Sequence, residues 1–300
     1  MKRIEEKEDD ELRIIGTKIP VNVPEEPRWP WLKWTLAVAC IVMAILIIIG
    51  LSRRTSGTDS QPEKQVESAY EELITPAPQI PLEPFGTAES SDGTAWTERI
   101  DMTINDIPLA IYIPHNAKAS LMVGTPSKDS KDIILATQAA DIRADNGKIV
   151  GAFVMKGEPL AWGLSKRGYC GIIDGEVTVG VADNSPLFEQ ATETGGYFFR
   201  QYPLVDNRKL VDNEPKNKSV RKALCQRAGQ TLLVMSCTPE SFHDFAQALV
   251  DLGVDNAIYV VGSEYSYGFY RDKGGEVLTF AEYPRRTHKF DNYILWCKAE

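Results

Sequence analysis

Three hydrophobic rhythms divide the chain. The first is an unbroken one: from Leu36 to Leu51 no charged residue occurs. With its flanks this run reaches about 19 residues, enough for about 28 Å of helix. Trp29, Trp31 and Trp34 precede it, and Arg53 and Arg54 follow. Aromatic and basic residues gather in this way at bilayer interfaces. The pattern predicts one membrane-spanning helix over 34–52. The second rhythm has period two. Ile100, Met102 and Ile104, then Leu109, Ile111 and Ile113, alternate with polar residues around Asn105-Asp106, which predicts a β-hairpin. Short apolar runs continue at 119–123 and 133–136. Runs at 148–155 and 160–162 flank a turn at Lys156-Gly157-Glu158-Pro159, and runs at 170–173 and 177–181 flank Asp174-Gly175. Gly195–Leu204 is rich in aromatics, and Val277–Phe280 and Tyr293–Cys297 read as strands.

The third rhythm is helical. Phe242, Phe245, Ala246, Leu249 and Leu252 recur on one helix face, with Thr238 at the N-cap, Pro239 at the first helical position and Gly253 as the left-handed stop. Before it lie Ser219–Gln226 and Thr231–Ser236, joined by a turn with a glycine; the run TLLVMS is apolar on both faces, as in a central strand. After it comes Ala257–Val261, a second buried strand. Strand, helix and strand of these lengths predict a crossover unit, with the loop Gly262–Gly268 at the carboxyl edge where ligands bind. Many strands with one crossover helix give the expected class: α+β, a mixed β-sheet domain with a βαβ crossover.

Composition then fixes the organisation. Residues 1–33 are densely charged and carry Pro20, Pro24 and Pro27, a tail without a packable face. Residues 53–97 are rich in Ser, Thr, Pro, Gln and Glu, which predicts a flexible linker. The folded domain is expected over 98–300. A formal net charge of −9 and a pI near 5.1 exclude a nucleic-acid partner, because no basic stripe is available to displace counterions. The lipid bilayer is an expected partner through residues 34–52. Neither Cys-x-x-Cys nor His-x-x-x-His spacing occurs, so no metal site is expected, and nothing calls for a cofactor. No Gly-x-Ser-x-Gly elbow is present either.

The candidate site residues are polar ones set among apolar neighbours. Arg221 opens the first strand of the hairpin, and a guanidinium can hold a phosphate by two parallel hydrogen bonds. In an antiparallel hairpin Arg221 should lie beside Ser236, at the edge where Gly262 begins its loop. Arg200 and Gln201 interrupt an aromatic strand and should point to opposite faces, so at most one lines a given pocket. Glu264 is the acid of the loop after Val261, and glycoside cleavage needs carboxyl groups.

This segment resembles the phosphodiester glycosidase family. The likeness rests on Arg-x-Ala-Leu at Arg221–Leu224, the hairpin, a helix with Ala-x-x-Leu-x-x-Leu-Gly, Asn-Ala-Ile at Asn256–Ile258 and the Gly/Ser loop Gly262-Ser263-Glu264-Tyr265-Ser266. The family's loop carries an acid where Val261 stands here, and its Ile-Asn-Gly-Gly-Phe-Phe motif has Val150 in place of the asparagine. The resemblance implies cleavage of a sugar-1-phosphodiester or related glycosidic bond. Arg221 would hold the phosphate and Glu264 would do acid/base work, while Arg200, Gln201, Gly262, Ser263, Tyr265 and Ser266 would bind a carbohydrate or sugar-phosphate ligand. It also implies a bacterial inner-membrane protein with a cytoplasmic tail and a periplasmic domain. The alternative is a non-catalytic glycan- or protein-binding module on the same fold.

Overall fold

In the computed structural model the described residues are 80–85, 93–263, 266–281 and 288–299. Three sheets dominate them. The first runs, in spatial order, β1 (Trp96–Ile104), β2 (Ile107–His115), β13 (Gln230–Ser236), β12 (Lys222–Arg227), β14 (Asn256–Val260), β10 (Pro203–Asp206) and β11 (Lys209–Leu210). The second has β16 (Val277–Ala281), β15 (Gly268–Arg271), β4 (Ile133–Gln138), β17 (Asn292–Lys298) and β3 (Ala117–Val123). The third has β6 (Glu158–Trp162), β5 (Ala152–Met155), β9 (Tyr197–Gln201), β7 (Gly168–Ile173) and β8 (Glu176–Val181). Helix α1 (Leu187–Thr194) packs on the third sheet and α2 (Phe242–Asp251) on the first.

The α+β expectation is corrected by this architecture. The structure is mostly β, with 49% strand against 9% helix among the described residues. Among the described residues every strand pairing is antiparallel, and none of the three sheets is mixed. The segment β13–α2–β14 does cross over, but β12 lies between the two strands it joins. That strand satisfies the backbone groups of both neighbours, which therefore run the same way without ever pairing.

The expected single-pass anchor and inner-membrane placement are corrected as well. Among the described residues no helix is long and apolar enough to cross a membrane. The longer helix, α2, has 10 residues, about 15 Å, half of a bilayer's hydrocarbon thickness. The expected span, 34–52, lies outside the described residues, as does the tail 1–33.

Turn chemistry accounts for the hairpins. Asn105-Asp106 (φ 50° and 61°), Asp174-Gly175 (53° and 87°) and Ala228-Gly229 (47° and 78°) all hold positive φ at both central positions. This is the two-residue turn whose twist matches paired strands. Alternation then sorts the first sheet into two faces. Ala110, Tyr112, Leu224, Leu233, Ile258 and Val260 point into a core shared with the other two sheets. Ile111, Ala223, Cys225, Val234, Ala257 and Tyr259 point the other way, onto Phe242, Phe245, Ala246 and Leu249 of α2. Both faces are covered, which is why TLLVMS is apolar throughout.

Helix α2 begins later than Thr238-Pro239 suggested. Ser241 is the N-cap, with its hydroxyl accepting from Asp244 N. Glu240 is held out of the helix because its N–H and C=O form a bridge with Ser219. Helix α1 is not announced by the hydrophobic pattern.

Candidate functional site

The loop after β14 is built by close backbone approach. Val260 lies opposite Lys222 in the β12–β14 register, so the chain leaving β14 passes alongside Arg221. A Cβ on Gly262 would stand 2.5 Å from Val220 O and 3.2 Å from Arg221 Cα, so only glycine fits. Gly262 N donates to the Tyr259 hydroxyl at 2.8 Å and Ser263 N to Val220 O at 3.0 Å. Ser263 holds φ 116°, an unfavourable backbone for a side chain. Ser266 Oγ donates to Val261 O at 2.7 Å, folding the loop back on its own strand. Glu264 and Tyr265 lie outside the described residues.

Arg221 reaches this edge with its guanidinium already engaged. Its N donates to Ser236 Oγ at 2.8 Å, Nε to Glu240 O at 2.9 Å, and Nη2 to Asn217 O. The guanidinium carbon lies 4.1 Å from the centre of the Phe242 ring. Burial lowers its pKa, with the Tyr259 hydroxyl acting in the opposite direction. These contacts fasten the segment before α2 to the sheet. They direct Nε and Nη2 at Glu240 and Asn217 rather than into the loop.

Lys222, one residue on, is the residue that sequence reasoning overlooked. Strand alternation sends it to the opposite face, where it is buried. Nζ donates to Ser266 O and Ser266 Oγ, both at 3.3 Å, and sits 4.8 Å from the centre of the Phe280 ring. Burial pushes its pKa down to about 7. The signal was available: a lysine followed by Ala-Leu-Cys in a strand flanked on both sides by apolar strands. Asp141 is a second overlooked group. Burial raises its pKa, which the Gln201 amide and the Lys166 ammonium partly oppose.

Arg200 and Gln201 do point to opposite faces. Gln201 is buried toward Asp141, while Arg200 turns toward α1. Arg200 Nη1 donates to Lys166 O and Ala182 O, and Nη2 to Asp183 O, at 2.7–2.9 Å. Its Nε is buried without a partner. Arg200 lines a groove of about 200 Å³ together with Ala152, Trp162, Leu164, Asn184, Ser185, Phe188 and Glu189. Trp162 is 68% exposed at the end of the edge strand β6, and Leu164 just beyond it is 66% exposed. Of the sequence-nominated residues that are described, Arg221, Gly262, Ser263 and Ser266 lie at the loop, Arg200 lines this groove, and Gln201 is buried toward Asp141.

Among the described residues no group of three or more His, Cys, Asp and Glu could hold a metal. Cys170, Cys225, Cys237 and Cys297 are free thiols. No family model matches the sequence, and no curated protein matches it. Among solved structures, the chain is similar to the catalytic domain of zebrafish N-acetylglucosamine-1-phosphodiester alpha-N-acetylglucosaminidase auto-inhibited by its pro-peptide. The two are 14% identical over 69% of this chain and 83% of that one, with a TM-score of 0.46. A hypothetical protein from Synechocystis is similar at 13% identity over 67% of this chain and 62% of that one, with a TM-score of 0.48. These are distant likenesses of fold. Neither family membership nor an activity follows from them.

Proposed function

We propose that the domain is a non-catalytic carbohydrate-binding module and that the glycan lies in the groove beside Trp162. The observation that carries this reading is an indole 68% exposed next to a groove walled by a buried guanidinium with one unpartnered nitrogen. Trp162 and Leu164 are both left in solvent on one groove, and adjoining exposed apolar side chains rimmed by polar ones are what marks a binding surface. A sugar ring offers an apolar C–H face to stack on the indole, and hydroxyls at its rim for Asn184, Ser185 and Glu189. Few polar groups around an aromatic wall are what small-ligand sites use to fix orientation. Phe188 of the groove wall meets Phe198 edge-on at 5.5 Å, and Tyr169 stacks on Phe198 at 6.0 Å, so the wall is backed by packed aromatic rings.

A hydrolytic reading asks more of the loop than its described residues provide. Its phosphate ligand, Arg221, is engaged by backbone carbonyls, and Val261 stands where an acid would serve. The test is calorimetric titration of the full chain with N-acetylglucosamine oligosaccharides, free and as phosphodiesters, alongside a hydrolysis assay. Trp162→Ala should weaken binding about tenfold or more, the usual effect of removing an aromatic anchor. Equal affinity in Trp162→Ala sinks the groove assignment, and turnover of the phosphodiester sinks the non-catalytic reading.

A further inference from the structure

Arg227 and Gln230 face each other as the last pair of the β12–β13 hairpin, at the end of the sheet opposite Arg221. Arg227 is fully buried, yet its guanidinium forms no salt bridge among the described residues. Nε donates to Leu252 O at 2.8 Å, where α2 ends. The other two nitrogens leave the hairpin altogether: Nη1 donates to Glu83 O and Nη2 to Pro81 O. The Phe85 ring lies 3.9 Å from the guanidinium carbon. Gln230 completes the grip with both ends of its amide, donating to Phe85 O at 2.9 Å and accepting from Phe85 N at 2.6 Å. Ile80 and Phe85 pack on the apolar face that α2 covers.

Two side chains therefore read four main-chain groups of one hexapeptide, and its aromatic ring is stacked as well. Such reading of main chain with one or two side-chain anchors is how peptide segments are bound. The hexapeptide suits it: the chain bends at Ile80, Leu82 and Glu83, which turns its carbonyls toward Arg227, while Pro81 and Pro84 fix φ and carry no N–H that would need a partner. We infer that Arg227 and Gln230 form a peptide-recognition notch for a bent proline-containing segment with an aromatic four residues after the proline. Its occupant is this chain's own Ile80–Phe85. The notch is distinct from the groove at Trp162 and from the loop after β14.

Hydrogen exchange on the full chain tests the occupant. The Phe85 amide should exchange at least about tenfold more slowly than in a free peptide of residues 78–87, and Gln230→Ala should abolish most of that protection. Free-peptide exchange in the wild type overturns the inference, as does protection that Gln230→Ala leaves intact. Protection that vanishes on dilution overturns the assignment to the same chain. Recognition is tested with a fluorescent peptide of residues 78–87 added to the full chain carrying Ile80→Ser and Phe85→Ser. The folded double variant should bind it about tenfold or more tightly than the wild type, whose notch is filled, and adding Gln230→Ala should remove the gain. Failure of the folded double variant to bind overturns the peptide reading. Should that variant not fold, loss of peptide competition against the wild type's own Phe85 protection decides in the same way.

Discussion

Arg221 and Lys222 are adjacent in sequence and meet different surroundings because a strand turns successive side chains to opposite faces. Arg221 faces α2 and keeps its charge by donating to carbonyls that need donors. Lys222 faces the loop and the shared core, where its amine donates to Ser266 O and Oγ among the described residues. The consequence for Lys222 is a pH dependence with a defined sign. Its folded-state pKa is lowered to about 7 from 10.5, so between these values the unfolded chain holds a proton that the folded chain has released. Stability from this group therefore rises as pH goes from about 7 to about 10.5, and below pH 7 the full cost of a buried charge is present. Lys222→Met should stabilise the protein at pH 6 by an amount on the order of a few kcal/mol, shrinking toward pH 10. Urea denaturation of both proteins at the two pH values measures it; a difference independent of pH would refute the buried-amine account. Arg221→Met should do the reverse, destabilising by about 2–4 kcal/mol because Glu240 O and Asn217 O lose their donors. Saccharide affinity at the distant groove should not change. A folded Arg221→Met chain of wild-type stability would show that the clamp is not structural.

At the scale of elements, β12 works as a brace. Arg221, just before it, and Arg227, its last residue, lie on the same face and bond the two ends of α2: Glu240 O just before the helix, Leu252 O just after it. Between them Ala223 and Cys225 are small enough for the helix to lie close. The helix is thus fixed in position by charged donors and in depth by small side chains. Its start also depends on Ser241, whose hydroxyl satisfies the Asp244 N–H at 3.0 Å. Ser241→Ala should cost about 1 kcal/mol. Thr238→Ala, at the position the sequence suggested as the cap, should cost less, because its hydroxyl bonds only the exposed Glu240 side chain. Thermal melts of the two variants compare them directly, and a larger loss in Thr238→Ala would contradict the observed cap.

For the whole molecule, what could be read from sequence was whatever is decided within a few residues. Asn105-Asp106, Asp174-Gly175 and Ala228-Gly229 specify their hairpins because only certain residues accept positive φ, wherever the hairpin lies. The alternation in Ile100–Ile113 and the double-sided apolarity of Thr231–Ser236 declared how much of each strand would be covered. Gly253 ended α2 by the same local rule, with φ 82°. Which strand lies beside which is a different question, since an apolar strand fits any covered place in a sheet. The sequence order β13–α2–β14 suggested a parallel neighbour, and only the folded chain inserts β12 between them. The site followed the same division. Gly262 was marked by its type, but the 2.5 Å approach of Val220 O that requires it comes from a segment 42 residues away. Arg221 looked free in sequence and Lys222 ordinary; their roles were settled by carbonyls and burial contributed from elsewhere. Trp162 has no local signature at all. Its exposure beside Arg200 exists because β6 ends at a sheet edge where α1 begins opposite it. Local geometry and burial periodicity are written into neighbouring residues, whereas strand order, the partners of charged groups and the walls of a groove depend on contacts between segments far apart in the chain.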